Sequence, residues 1–260
     1  ILGIFVNPTQ FDKKEDLLSY PRDIEKDREI ASREGVDIIF APSVEEIYPK
    51  GFSTFVEEED LTERLCGEHR SGHFRGVTTV VMKLLNIISP DRAYFGQKDL
   101  QQSQVIKKMV MDLNRNGELV VLPTVRDKDG LALSYRNQHL SMAERQTALS
   151  IYKALIRARE LFASRETDSR KILEEMHDIL LGAGILQIDY ISIVDPETLE
   201  ELEEARPDAV VALACWVGNT RLIDNMSLSE ATSSKEPAPA LSPSVGVYCD
   251  TPLQGAKLSK

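Results

Sequence analysis

The stretch Arg92-Ala93-Tyr94-Phe95-Gly96-Gln97-Lys98-Asp99-Leu100-Gln101-Gln102 has the pattern of a strand that ends in a polar loop. Apolar residues recur at helical spacing before it, from Val77 to Ile88, and Pro90 ends that helix. A second helical pattern begins at Val105, so Lys98, Asp99 and Gln102 lie on or beside its first turn. In open α/β sheets such turns line the ligand crevice, and free N–H groups at a helix start favour anions. The stretch therefore predicts an α/β fold with a ligand site at this turn.

The alternative is a solvated loop, with a Lys–Asp surface pair and glutamines that only favour the helix. Two further polar loops favour a ligand site. They follow apolar strand patterns and contain Asn7, Gln10 and Arg136.

Composition restricts the class of protein. The 260 residues are 42% hydrophobic and 28% charged, which is enough for one large or two modest cores. The net charge of -11 argues against a nucleic-acid or membrane-surface partner, because phosphate backbones need basic patches. No apolar segment approaches membrane-spanning length and no secretory h-region is present, so we expect a cytoplasmic protein.

Three cysteines, Cys66, Cys215 and Cys249, show neither a metal spacing nor a disulfide framework. We interpret Cys215 as a core thiol. Two histidines four residues apart, His69 and His73, are a weak metal signal because Gly72 breaks the helix and a third ligand is missing. A basic loop close to an anionic ligand is the better interpretation, with Arg70 and Arg75 as candidates.

The first half of the chain predicts a parallel sheet. Ile1 to Val6 is an apolar run typical of a buried parallel strand, and we expect the gene product to begin upstream of it. A helical pattern from Pro21 to Glu34 leads to a second strand, Val36 to Ala41, which implies a right-handed crossover. Phe52 to Glu57 is expected to be an edge strand or hairpin arm, and Glu118 to Pro123 another strand.

The second half predicts a small α+β domain after a long charged loop, residues 125–137. Ser141 and Glu144 form a capping-box signal for a long helix, and a second helix ends at Gly182. Leu186 to Val194 and Ala209 to Val217 follow as strands. From Ser229 onward the composition predicts a disordered tail.

Common catalytic motifs are missing from the sequence: there is no Walker A loop, HExxH, nucleophile elbow or credible dinucleotide fingerprint. The candidate functional groups that remain are lysine, arginine and amide side chains near the N-terminus of a helix. That set suits phosphate binding and charge stabilisation.

Several segments resemble the pantothenate synthetase (pantoate:β-alanine ligase) family in order and spacing. They are Ile4-Phe5-Val6-Asn7-Pro8-Thr9-Gln10-Phe11, Tyr20-Pro21-Arg22-Asp23, Phe40-Ala41-Pro42-Ser43, Gly72-His73-Phe74-Arg75-Gly76-Val77, Phe95-Gly96-Gln97-Lys98-Asp99, Asp129-Gly130-Leu131-Ala132 and Val217-Gly218-Asn219-Thr220-Arg221-Leu222-Ile223-Asp224-Asn225. The resemblance covers Ile1 to Leu228.

The resemblance implies a Rossmann-like nucleotidyltransferase domain with a parallel sheet, residues 1–124, which binds ATP and pantoate. A smaller α+β C-terminal domain that covers the site, residues 125–228, would follow, with a tail at 229–260. It also implies a homodimer formed through the N-terminal domain. A resident metal site is not implied.

The implied reaction is the AMP-forming condensation of pantoate with β-alanine through pantoyl adenylate, with ATP and Mg²⁺ as the substrate complex. By the family pattern Lys98, Ser134 and Arg136 would be catalytic. Asn7, Gln10 and Gln102 would bind pantoate and β-alanine. The implied ATP-binding residues are Gly96, Gln97, Lys98, Asp99, Val125, Leu133, Ser134, Tyr135 and Arg136.

Two departures from the family pattern stand out. The family carries a His-x-Gly-His motif before the strand that opens this chain, and residues 1–260 do not contain it. Tyr135 stands where the family usually has serine. We therefore expect an N-terminally truncated chain that lacks its first strand and helix, leaves strand Ile1 to Val6 with an unpaired edge, binds ATP weakly and forms little pantothenate.

Two other functions compete with this interpretation. One is an adenylate-forming enzyme for a different carboxylic acid. The other is a catalytically silent nucleotide-binding homologue without the histidine motif.

Overall fold

A computed structural model describes residues 1–11, 17, 18, 20 and 22–229, and the backbone of 245–248. The chain divides into two units. Unit 1 contains residues 1–96, 101–122 and the strand at 245–248, and unit 2 contains residues 97–100 and 123–229. Residues 97–100 therefore group with unit 2, although the sequence pattern assigned them to the first domain.

Unit 1 is built on a parallel sheet, as predicted. Among the described residues its strand order is β2-β1-β8-β3-β4, and each neighbouring pair is parallel. The strands are β1 (Leu2–Ile4), β2 (Ile39–Phe40), β3 (Arg92–Gly96), β4 (Glu118–Leu122) and β8 (Val245–Tyr248). Parallel strands joined through helices confirm the predicted α/β class.

Local capping signals mark the ends of the helices of unit 1, although the first helix begins later than predicted, at Ile24. Helix α1 (Ile24–Arg33) starts after Asp23, whose carboxylate accepts from the Lys26 N–H. Beyond its end Gly35 adopts φ 78°, which glycine tolerates best. Two one-turn helices follow, α2 (Val44–Ile47) and α3 (Cys66–His69).

The longest apolar face in unit 1 belongs to helix α4 (His73–Ile88). Helix α5 (Leu100–Asp112) follows β3 after a 3-10 turn at Gln97–Asp99. Both helices bury side chains against the sheet, because apolar residues recur at the helical period. The core of the unit includes Val77, Val80, Val81, Leu84, Phe95, Ile106 and Met109.

Two predictions about the middle of unit 1 were wrong. Residues 52–57 form no strand, because the Val56 N–H donates to Thr79 Oγ1 (3.0 Å) and the Val56 carbonyl accepts from Thr78 Oγ1 (2.6 Å). Helix α4 thus satisfies the backbone groups that a neighbouring strand would use. The segment from Cys66 to Gly76, expected to be one basic loop around Arg70 and Arg75, instead contains α3 and the first turn of the helix that begins at His73.

The end of the chain also differs from expectation. Val245–Tyr248 pairs with β1 on one side and β3 on the other. Strand β1 consequently has partners at both edges, so the expected unpaired edge is not present. The rest of the predicted disordered tail, apart from Ser229, lies outside the described residues.

Unit 2 combines two helices with an antiparallel sheet. Helix α6 (Met142–Ala163) opens with the predicted capping box of Ser141 and Glu144, and α7 (Ser169–Gly182) is capped by Asp168. The sheet has the order β5-β6-β7. Its strands are β5 (Gln187–Val194), β6 (Val210–Val217) and β7 (Thr220–Ser227).

The core of unit 2 lies between these helices and strand β6. Its fully buried members include Ile151, Leu155, Ile172, Met176, Leu180 and Leu213. Cys215 lies in this core, and burial raises the pKa of its thiol to about 12. This agrees with a structural thiol. No helix within the described residues combines the length and apolar character needed to cross a lipid bilayer.

Candidate active site

The predicted nucleotide loop of unit 2 is a short hairpin. Arg126 and Ala132 form an antiparallel bridge, and the Leu133 N–H donates to the Val125 carbonyl at 2.9 Å. The turn between them contains Gly130 at φ 92°, where an added Cβ would meet the ring of Tyr152. Glycine is therefore required at this position.

Arg145 of helix α6 fixes the hairpin turn. Its Nη2 lies 2.8 Å from Asp127 Oδ2 and 2.7 Å from Asp129 Oδ2. Partial burial opposes ionisation of Asp129, but the hydrogen bonds from Arg145 and the Leu131 N–H hold the pKa of that carboxyl below its ordinary value. The turn is therefore held in place by charge-assisted contacts.

A polar pocket in unit 2 brings together the three predicted catalytic residues. Lys98, Ser134 and Arg136 line it, with the apolar side chains of Leu131 and Ile151. Lys98 is 18% exposed, and its Nζ lies 3.5 Å from Asp99 Oδ1. Arg221 and Asp224 also line the pocket, so it combines three basic residues with a hydroxyl and a carboxylate. The basic residues suit phosphate groups.

Asp224 forms the buried wall of this pocket and pairs with Arg126. The guanidinium donates to both carboxylate oxygens, at 2.6 and 3.0 Å, and also to the carbonyls of Gly130 and Asn225. Burial raises the pKa of the Asp224 carboxyl above its ordinary value, while Arg126 opposes the shift. The pair ties the hairpin to strand β7. Neither residue had a predicted role, although Asp224 lies in a family-like segment and Arg126 in the charged loop.

Asn225, the next residue on β7, explains why residues 97–100 belong to unit 2. Its Nδ2 donates to the carbonyls of Gln97 (2.8 Å) and Lys98 (2.9 Å). The lysine loop is thus bonded to the sheet of unit 2. Asn225 was quoted in the sequence only as part of a family-like strand.

In unit 1 the predicted amides Asn7 and Gln10 are buried and bonded to each other. Asn7 Nδ2 donates to Gln10 Oε1 (2.9 Å) and to the Gly76 carbonyl (3.0 Å). Asn7 Oδ1 accepts from Thr9 Oγ1 (2.8 Å) and from the Tyr48 hydroxyl (2.9 Å). Asn7 thus orients the amide of Gln10. Nothing in the sequence around Tyr48 indicated this contact.

His73 and Arg70 also contact Gln10, at its backbone. His73 Nδ1 lies 2.7 Å from the Gln10 carbonyl, which can only accept, so Nδ1 carries the proton. Arg70 Nη1 lies 3.0 Å from His73 Nε2, which must then accept. The two residues position the Gln10 segment.

The other predicted residues lie on exposed or half-buried backbone. Gly96 is exposed at the end of β3, and Gln97 and Asp99 are half-buried in the 3-10 turn after it. Val125 is 51% exposed at the start of the hairpin. Leu133 is half-buried at its end, and Gln102 is half-buried on α5.

Two residues differ from their expected surroundings. Tyr135 is buried, and its ring packs edge-on against His139 at 5.8 Å between centroids. The Arg75 guanidinium, a candidate anion ligand, lies 3.8 Å above the Phe55 ring and 3.7 Å from a Glu57 oxygen. Among the described residues, acidic, histidine and cysteine side chains form no cluster of three that suits a metal ion.

We expect Gly76→Ala to destabilise the protein, although alanine normally stabilises a helix interior by about 0.5–1 kcal/mol relative to glycine. An added Cβ would lie 2.5 Å from the Thr9 carbonyl oxygen and 2.8 Å from the Gln10 nitrogen. Overpacking of this kind costs about 1–3 kcal/mol, so it outweighs the gain. Urea unfolding measures the difference.

Gly182→Ala is the matched control, because a Cβ there meets nothing within 4 Å. It lies at the end of helix α7 and should not lower the free energy of unfolding. Equal stability of the two variants would show that α4 does not approach Thr9 as closely as described.

Comparison with known proteins identifies the family of the chain. A model of the pantoate-β-alanine ligase family matches residues 1–227. The pantothenate synthetase of Moorella thermoacetica is 54% identical over 228 residues, which are 88% of this chain and 81% of the relative. The pantothenate synthetase of Thermotoga petrophila is 55% identical over 228 residues, which are again 88% of this chain and 81% of the relative.

Solved structures give the same result. Pantothenate synthetase from Thermus thermophilus superimposes with a TM-score of 0.85 at 43% identity, over 88% of this chain and 83% of that one. Pantoate-β-alanine ligase from Francisella tularensis, solved with β,γ-ATP and β-alanine, superimposes with a TM-score of 0.72 at 35% identity. The match covers 87% of this chain and 78% of that one. The family match over residues 1–227, the sequence identity to the relatives and the shared fold lead to one conclusion: the chain belongs to the pantoate-β-alanine ligase family.

Proposed function

We propose that this chain condenses pantoate with β-alanine in an ATP-dependent reaction that releases AMP and pyrophosphate. The observation that carries the proposal is the family match over residues 1–227, with the three predicted catalytic residues around one pocket of unit 2. A silent homologue or an enzyme for another acid is not favoured, given the identity of 52–55% to several pantothenate synthetases.

In the first step a carboxylate oxygen of pantoate attacks the α-phosphorus of ATP. The bond between the α-phosphorus and the oxygen that bridges it to the β-phosphate breaks. Pyrophosphate leaves with the electron pair. Lys98 and Arg136 neutralise the charge that develops on the phosphates, and the Ser134 hydroxyl donates a hydrogen bond. Gly96, Gln97, Asp99, Val125, Leu133 and Tyr135 contact the rest of the nucleotide, several through their backbone.

In the second step the neutral amine of β-alanine attacks the acyl carbon of pantoyl adenylate, and AMP leaves. The amine loses a proton as the amide bond forms. Asn7, Gln10 and Gln102 orient pantoate, since amides bind a carboxylate and hydroxyls without competing as nucleophiles.

Magnesium fits this site as part of the nucleotide complex. Mg²⁺ is usually held by substrate phosphates and one or two carboxylates, and it keeps several waters. Asp99, beside Lys98, is the carboxylate that we assign to it. The ion would supply charge neutralisation on the phosphates.

The function is tested by AMP formation with enzyme in excess over ATP, so that low rates are measurable. AMP should accumulate with pantoate and β-alanine together. AMP release that does not depend on pantoate would refute the proposal.

We expect Gln10→Ala to weaken pantoate binding more than ATP binding. Gln10 is 2% exposed, and Asn7 orients its amide. Loss of the amide therefore removes preorganised hydrogen bonds to pantoate, worth about 1–3 kcal/mol. Calorimetry with each ligand measures this, and Gln102→Ala should behave likewise. Gln187→Ala, at an exposed amide in unit 2, is the control. Equal loss of both ligands would contradict the assignment.

We also propose a cytoplasmic homodimer formed through the N-terminal domain. The support is the family resemblance. Light scattering at micromolar concentration should give twice the chain mass of 29.2 kDa. The monomer mass would refute the dimer.

A further inference from the structure

We propose that Asn225 is a positioning residue for Lys98 in adenylate formation. The proposal deepens the proposed function, on which it rests for the reaction. Nothing in the sequence pattern separates Asn225 from its neighbours on strand β7. Two hydrogen bonds from its side chain join it to the lysine loop.

The Asn225 side chain uses its donor group on the backbone of that loop. Nδ2 donates to the carbonyls of Gln97 and Lys98 at 2.8 and 2.9 Å. A primary amide has two N–H bonds, so both are committed to these two carbonyls. Asn225 is 3% exposed, and water therefore cannot easily replace it. The peptide units on both sides of the Lys98 Cα are fixed by one side chain.

The position of Asn225 is itself set by the ion pair beside it. Its N–H donates to Asp224 Oδ1 at 2.8 Å, and its carbonyl accepts from Arg126 Nη2 at 3.3 Å. Its backbone lies opposite Ala212 in the ladder between β7 and β6. The loop is thus attached to a regular strand, and sites built on strands are held more accurately than sites on loops.

Lys98 needs this support because its charge is carried on a flexible stem. The loop around it consists of one 3-10 turn, Gln97–Asp99, after the exposed Gly96. If the Gln97 and Lys98 carbonyls lose their hydrogen bonds to Asn225, the backbone of Lys98 moves and its ammonium group no longer has a fixed position. A misplacement of about 1 Å can lower a rate by ~10²-fold. Asn225 does not line the pocket, so its effect should pass through Lys98.

The test compares Asn225→Ala and Asn225→Asp with the unaltered chain. Asn225→Asp keeps the shape but replaces the donor with a group that only accepts. Both should lower the single-turnover rate of AMP formation by ~10 to 10²-fold, with the pantoate dissociation constant changed by less than about twofold. Ser192→Ala is the matched control, because Ser192 is also buried in the same sheet and the change removes its partly buried hydrogen bond to Glu201. It should leave the rate unchanged.

A double-variant cycle separates positioning from a general loss of stability. In a Lys98→Ala background, Asn225→Ala should lower the remaining rate by less than about twofold, because the group it positions is gone. Rate losses that multiply in the double variant would overturn the proposal. So would an unchanged rate in both single variants.

Hydrogen exchange does not depend on catalysis, so it tests the positioning role of Asn225 separately from the proposed ligase function. Hydrogen exchange of residues 97–100 should become faster in Asn225→Ala and stay unchanged in Ser192→Ala, because the local opening free energy falls. Unchanged exchange would overturn the positioning role. If the unaltered chain forms no AMP, the proposed function fails, while the exchange result still decides whether Asn225 fixes the Lys98 loop.

Discussion

Lys98→Ala is expected to lower the rate of AMP formation by about 10²–10³-fold, the usual cost of losing one donor at developing charge. Lys98 lines the pocket with Ser134 and Arg136, so its ammonium group would lie beside the phosphates. Its side chain is 18% exposed, and its ion pair with Asp99 is 3.5 Å long. A single partly exposed pair contributes about 1 kcal/mol or less, so stability should change little.

The measurement is single-turnover AMP formation beside urea unfolding of the same protein. Lys153→Ala is the control, since Lys153 is an exposed lysine on helix α6. It removes an equal charge without a place in the pocket. An equal rate for the two variants would show that Lys98 does not act on the phosphates.

Asp224→Ala is expected to lower the free energy of unfolding by about 3–5 kcal/mol, the cost of breaking a buried ion pair. The Asp224 side chain is 2% exposed, and that of Arg126 is 17% exposed. Removal of the carboxylate leaves the Arg126 charge without its bidentate partner in a low-dielectric surrounding. The hairpin at 125–133 should become mobile as well, because Arg126 bonds the Gly130 carbonyl.

Urea unfolding measures this effect. Glu175→Ala is the control: it breaks an ion pair with Arg157 in which both side chains are about half exposed, and it should cost about 1 kcal/mol or less. The double variant Arg126→Met, Asp224→Leu should lose less stability than Asp224→Ala, since no buried charge is left unpaired. A loss in Asp224→Ala no larger than in the control would contradict the described pair.

Local signals made much of the fold predictable. The periodic apolar residues of α4, the stop at Pro90 and the capping box of Ser141 and Glu144 each act within a few residues, so a single sequence reveals them. Parallel pairing of β1 and β2 followed from the helix between them.

Elements that depend on distant partners could not be predicted this way. Residues 52–57 alternate like a strand, but Thr78 and Thr79 on α4 bind the backbone of Val56. Strand β8 has only four residues within a segment rich in serine and proline, and its partners lie on β1 and β3. Short strands of this kind are specified by the sheet that accepts them.

In the candidate site, too, residues with local sequence signals could be predicted, whereas residues that depend on distant partners could not. Lys98, Arg136 and Gln10 could be proposed as site residues because charged or amide groups follow apolar strands at predictable turns. Asn225 could not, since its partners are backbone carbonyls more than a hundred positions earlier, and backbone atoms leave no trace in the sequence. The sequence showed His73 as a weak metal signal and as part of a basic loop, whereas its hydrogen bond to the Gln10 carbonyl defines its place.

The most direct test of the account follows an isotope through the reaction. Pantoate labelled with ¹⁸O in its carboxylate is incubated with ATP, β-alanine and this chain in excess, and the AMP and pantothenate are analysed by mass spectrometry. An acyl-adenylate route predicts one labelled oxygen in the phosphate of AMP for each pantothenate formed, because the attacking carboxylate oxygen leaves with AMP. Pantothenate formed with unlabelled AMP, or label found in orthophosphate, would contradict the account.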